Sequence, residues 1–137
     1  MPTQNMDYNS LNSNILKLNS NIRYAGVYHI GNVQIFEKIQ KGLARLFDKE
    51  KTKDTLIHEY MRWKARKNYS SEIGKPMYTI TKYEKINRLT IPLHIKALLM
   101  VNTESKLEPN EIVPDVIKLI KKYSDDPNYT PKKVYLG

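Results

Sequence analysis

A chain of 137 residues that is 40% apolar and 27% charged has the length and the apolar content of one modest folded domain. The absence of cysteine excludes disulfide staples, thiolate zinc sites and cysteine nucleophiles. Lys and Arg outnumber Asp and Glu by 23 to 14, and the resulting net charge of +9 either attracts polyanions or simply marks a cationic soluble surface.

Residues 1–10 are polar and read as a flexible N-terminus. They have no basic stretch followed by an apolar one, so they do not read as a signal peptide. The longest uncharged apolar run, Ala97 to Val101, is far below the roughly 18 residues that a membrane span needs. A cytoplasmic protein with no membrane span is expected.

Leu11, Ile15 and Leu18 recur at i, i+4 and i+7 and predict a short helix, with Asn9 or Ser10 as its N-cap and Asn19-Ser20-Asn21 as its end. The run from Ile22 to Ile30 and the run from Val33 to Glu37 are joined by Gly31-Asn32, which predicts a hairpin. Residues 38–53 read as a basic loop anchored by Leu43, Leu46 and Phe47. A long helix is predicted from about Asp54 to Tyr69, capped by Thr52 or Asp54. Ile57, Met61 and Ala65 form its sheet-facing stripe with Tyr60 beside them, and Leu56, Trp63 and Lys67 flank it. Gly74 and Pro76 forbid a continuous helix beyond it.

Three strands follow. Tyr78, Ile80 and Lys82 alternate with Met77, Thr79, Thr81 and Tyr83, and Leu89, Ile91 and Leu93 oppose Arg88 and Thr90. The third, Ala97 to Val101, is apolar on both faces, as a central covered strand is. A last helix opens at Pro109 or Asn110, with Ile112, Val116, Leu119, Ile120 and Tyr123 as its apolar face and Pro114 in its first turn. Residues 124–137 read as a tail whose Val134-Tyr135-Leu136 is suited to docking on a sheet edge or a partner. The sum is an α/β (α+β) protein of order α-ββ-α-βββ-α: a five-stranded, mainly antiparallel sheet with helices packed on it, in one domain over residues 11–123.

Element order of this kind resembles the roadblock/LC7 fold and its profilin-like relatives. The segment Asn21 to Val27, together with Ile73-Gly74-Lys75, Tyr78-Thr79, Tyr83-Glu84-Lys85 and Thr90-Ile91-Pro92, resembles a family of small proteins of ammonia-oxidising archaea. The roadblock resemblance implies a homodimeric, non-catalytic platform for a small GTPase or a receptor.

No catalytic constellation stands out. His29, His58 and His94 are scattered, without metal-ligand spacing, and Asp125-Asp126 lie in the tail. The glycines form neither a dinucleotide fingerprint nor a P-loop, so no cofactor is expected. The strongest surface candidate is basic. Residues 38–69 hold ten basic and four acidic positions, +6 of the total +9. Arg45, Arg62, Lys64, Arg66 and Lys67 are candidates for gripping phosphates, with Trp63 for stacking on a base or, alternatively, tucked at the sheet margin. Many of the ten tyrosines fall on sheet or sheet-covering positions. They serve packing, or they line a ligand pocket under the long helix near Ile57, Met61, Tyr78 and Leu99. Three readings therefore stand: a non-enzymatic, self-associating interaction or regulatory module; a nucleic-acid-binding protein using residues 38–69; and a PAS-like small-molecule sensor.

Overall fold

The computed structural model describes residues 6–124 and 126–133. Its elements are α1 (Tyr8–Lys17), β1 (Ile22–His29), β2 (Gln34–Ile39), α2 (Lys49–Arg66), α3 (Ser70–Ile73), β3 (Thr79–Lys82), β4 (Ile86–His94), β5 (Ala97–Glu104) and α4 (Val113–Ser124), with 3₁₀ turns at Lys67–Tyr69, Pro109–Glu111 and Pro131–Lys133. The strands form one five-stranded sheet in the order β2-β1-β5-β4-β3, and every neighbouring pair is antiparallel. The doubly apolar β5 is the middle strand of this sheet, as its composition predicts.

One face of the sheet carries α1 and α4. Leu11 and Ile15 of α1, Val27 of β1, Leu89 and Ile91 of β4, Leu99 and Val101 of β5, and Val116 and Ile120 of α4 are all fully buried in a single cluster. Asn12 is buried among them and donates from Nδ2 to the Phe36 carbonyl at 2.9 Å, which pins α1 to β2. The helix starts earlier than the predicted Asn9 or Ser10 cap. Asp7 accepts from the Ser10 amide, and Leu18 is the C-cap residue rather than part of the buried stripe.

The packed unit reaches beyond residues 11–123 at both ends. Met6 and Tyr8 are buried in the main cluster, and so is Tyr129 from the stretch that reads as a tail. The Tyr129 hydroxyl donates to the Pro92 carbonyl at 2.7 Å. That contact explains β3. Strand β3 pairs only over Thr79–Lys82 with Asn87–Thr90, shorter than the predicted run from Met77 to Tyr83. The next positions of β4 lead to Pro92, which has no N–H to give a further strand while β5 occupies its other side, so the ladder stops. Residue Tyr129 then covers the exposed rim. The Val134-Tyr135-Leu136 docking expectation lies outside the described residues.

Candidate functional site: the face under α2

The opposite face of the sheet is covered by α2, with the 40–48 loop at its β2 edge, and the contact is of mixed character. The helix begins at Lys49, not Asp54, because Asp48 rather than Thr52 or Asp54 caps it, its Oδ1 accepting from the Lys51 amide at 2.7 Å. Its buried positions are Thr52, Leu56, Glu59 and Trp63, at i, i+4, i+7 and i+11. The expected stripe of Ile57, Met61 and Ala65 is therefore rotated. Residue Met61 is 59% exposed, and Ile57 and Tyr60 are partly buried beside Tyr24, Tyr28 and Met100. The hydrophobic pattern misplaced the helix because Glu59 counts as an outward residue in any such pattern.

Glu59 is inward because Arg88 is there. The Arg88 Nη1 lies 3.2 Å from Glu59 Oε2, and both side chains are 4% exposed. Arg88 also donates from Nη1 to Thr55 and from Nε to Asn102 on β5. A buried charge with a charged partner and further acceptors is tolerated, whereas either one alone would be costly. Trp63 seals the next turn. Its indole N–H donates to Thr90 Oγ1 at 2.7 Å, and Thr90 hydrogen-bonds in turn with Thr79 of β3.

At the β2 edge, Arg45 and Glu37 form a forked pair, with Nη1 2.7 Å from Oε2 and Nη2 3.2 Å from Oε1. Arg45 also reaches Thr52 Oγ1 and the Phe47 carbonyl, so it staples the 40–48 loop to β2 and to the first turn of α2. The Tyr24 hydroxyl donates to Glu37 at 2.8 Å. Burial raises the Tyr24 phenol well above its usual range, and the Glu37 charge adds to that. Burial also pushes the Glu37 carboxyl up, but its bonds from Arg45 and Tyr24 outweigh that and leave it below the usual carboxylate range. The Tyr24 ring folds back along β1 over Gly26, where a Cβ would lie 2.3 Å from the phenol oxygen. Glycine is required there for lack of room.

The structure separates the predicted basic residues. Arg62 is largely exposed, 3.4 Å from Glu59. Lys64 and Lys67 are exposed, with Lys64 over the Tyr60 ring. The Arg66 guanidinium lies over the Trp63 ring, with its Nη1 buried and unbonded. Arg45 is committed to Glu37, and Trp63 is buried against the sheet. Ile57, Met61, Tyr78 and Leu99 do not surround a common cavity: Leu99 belongs to the other face, and Met61 and Tyr78 are exposed. A half-open pocket of about 50 Å³ lies instead beside the first turn of α2.

At the far end of the sheet, His94 is buried with Tyr8, which is 2.6 Å from its Nε2, and the His29 ring is 5.7 Å away. The Lys96 amide donates to Nδ1, so the neutral ring carries its proton on Nε2 and donates it to the Tyr8 hydroxyl. Burial, with His29 and Lys96 nearby, lowers the His94 pKa to about 4. Among the described residues no group of three or more His, Cys, Asp or Glu is placed to hold a metal ion, and no helix is long and apolar enough to cross a membrane.

No protein-family model matches the chain, and no curated protein is significantly similar to it. Solved structures are similar at low identity. The gliding protein MglB of Thermus thermophilus is 12% identical with a TM-score of 0.65, over 91% of this chain and 86% of that one. An MglB with tetrameric arrangement is 12% identical with a TM-score of 0.61, over 92% and 86%. A roadblock/LC7 domain from Streptomyces avermitilis is 12% identical with a TM-score of 0.60, over 85% and 93%. The agreement extends over nearly the whole of both partners in each comparison, and it shows that this chain has the roadblock/LC7 fold.

Proposed function

We propose that the protein is a non-enzymatic interaction or regulatory module that self-associates through the side formed by β3 and the C-terminal half of α2. The carrying observation is where the large apolar side chains are exposed. Met61, Tyr69, Ile73, Met77, Tyr78 and Tyr83 are exposed, Ile73 by 84%, and all lie between the second half of α2 and the turn after β3. Strand β3 is an outer strand of the sheet, with β4 on one side and no described strand on the other. An open edge flanked by apolar side chains is a pairing surface, and two copies meeting about a two-fold axis satisfy both edges with one self-complementary patch. The tetrameric arrangement of a structurally similar MglB supports assembly of this fold. The expected partners of the assembled form are a small GTPase or a receptor, in the cytoplasm. Kinship with small proteins of ammonia-oxidising archaea rests on the resemblance of Asn21 to Val27, Ile73-Gly74-Lys75, Tyr78-Thr79, Tyr83-Glu84-Lys85 and Thr90-Ile91-Pro92.

Light scattering coupled to size exclusion tests the reading. Twice the chain mass is expected across the micromolar range, and Ile73→Glu with Tyr78→Glu should return it to one chain mass without loss of helix content. A single-chain mass for the unaltered protein throughout that range would refute self-association.

A second reading is polyanion binding on the outer face of α2, supported by the exposure of Arg62, Lys64 and Lys67. With Trp63 buried, it rests on phosphate contacts without base stacking. Retention on nucleic acid should then fall with salt and be lost in Arg62→Glu with Arg66→Glu, and retention unchanged by that pair would remove this helix as the surface.

A further inference from the structure

We propose that the pocket beside the first turn of α2 binds the carboxylate head of an amphiphilic organic acid. This goes beyond the self-association surface, which lies at the other end of the helix. Three arginines line the pocket, Arg23 on β1, Arg45 in the 40–48 loop and Arg88 on β4, and no Asp or Glu is among its lining residues. The carboxylates that balance them, Glu104, Glu37 and Glu59, stand outside that lining. The cavity side therefore presents ion-paired arginines, with Arg23 bonded to Glu104 and to the Ala44 carbonyl, against apolar walls from Tyr24, Ile39 and Met100.

The donors are not equivalent. Arg45 has Nε and both Nη atoms committed to Phe47, Glu37 and Thr52. Arg88 uses Nε and Nη1, its guanidinium lies over the Tyr83 ring, and Nη2 is left as the donor with no protein acceptor among the described residues. The side chain as a whole is only 4% exposed, so what solvent access Arg88 keeps is narrow. Its fixed position in a largely apolar recess favours a planar, singly charged carboxylate.

Size sets the rest of the ligand. About 50 Å³ holds a headgroup and little more. The ligand's body must lie across the lip, where Leu46 is 57% and Phe47 39% exposed. These are two large apolar side chains at the mouth of a cationic recess, an arrangement that fits an aliphatic or aromatic acid lying head-down. A dianionic phosphate is disfavoured, because most donors are already taken and the walls are apolar.

The test is titration of the whole chain with octanoate, followed through backbone amide resonances, with acetate, 1-octanol and inorganic phosphate as comparison probes. Octanoate should shift Arg23, Leu46, Phe47 and Asn102 saturably and lose affinity as salt rises. Acetate should bind more weakly and octanol should not shift them. Arg23→Gln and, separately, Leu46→Asp should each weaken octanoate roughly tenfold. The amide spectrum of each variant reports directly whether it is folded. Four results would overturn the proposal: equal binding of octanol, tighter binding of phosphate at the same resonances, shifts confined to other surfaces, or no saturable shift. Occupancy by a peptide ending in a leucine carboxylate, with octanoate inert, would overturn the small-molecule assignment as well.

Discussion

The two faces of this sheet are closed by different physics. Under α1 and α4 the contact is aliphatic: Leu11, Ile15, Leu99, Val116 and Ile120 are fully buried, and Asn12 is held there by one main-chain bond. Under α2 the contact is a row of long polar and aromatic side chains: Arg45 with Glu37, Arg88 with Glu59, and Trp63 with Thr90. The first face derives its strength from removing apolar area from water, which is non-directional and tolerant of small shifts. The second depends on paired charges and aligned hydrogen bonds, so it specifies one position for α2 but fails badly when a single partner is removed. The pocket and the exposed Met61 both belong to the α2 side, so the binding proposed above falls on the face with the more exacting chemistry.

The comparison can be broken most sharply at Arg88. Arg88→Leu leaves the buried Glu59 with only the largely exposed Arg62 at 3.4 Å, and unfolding in urea should show a loss of about 4 kcal/mol. Adding Glu59→Leu should recover most of that loss, because two apolar groups replace two charges. A double variant no better than the single one would show that the pair matters for something other than its charge balance. On the other face, Leu99→Ala should cost about 3 kcal/mol by cavity formation, and no second substitution across the interface should rescue it.

His94 makes the aliphatic side sensitive to acid. Its folded pKa of about 4 lies below the ordinary value of 6.5, so the unfolded chain takes up a proton first as the pH falls. Stability is complete above pH 6.5 and declines toward pH 4, by about 3 kcal/mol at the limit. Urea midpoints at about pH 7 and about pH 4.5 should differ accordingly, and His94→Gln should flatten that difference. Glu37, on the other face, has its pKa depressed, so its contribution is lost only on further acidification. The smallest expected effect is at the rim of β4. Tyr129→Phe removes the bond to the Pro92 carbonyl and should cost about 1 kcal/mol. An unchanged midpoint would mean that the stretch after α4 is held by packing alone.

Where the two faces differ, so does their legibility. The alternation in Ile86 to Leu93 and the doubly apolar Ala97 to Val101 placed β4 and β5 correctly, because burial on a pleated strand is written directly in period two. The last helix shows Val116 and Ile120 inward as its spacing predicts. The phase of α2 was not legible in the same way. Its inward Glu59 looks like a solvent residue until Arg88, 29 positions later, is brought opposite. Trp63 carried two readings, and only its bond to Thr90 shows that it faces the sheet. Tyr129, beyond two aspartates and a proline, gave no periodic signal of its burial.

The pocket was legible only in part. The basic run from 38 to 69 pointed to Arg45, but Arg23 and Arg88 come from separate strands and join it only through the β1–β5–β4 ladder. Sequence by itself determined the order of the five strands and the three longer helices, the central place of β5 and the excess of positive charge, since these follow from local periodicity and composition. Tertiary structure alone decided which charges are buried together, which face α2 presents and where three arginines converge. Those outcomes depend on pairings between residues far apart in the chain, and no local pattern encodes them.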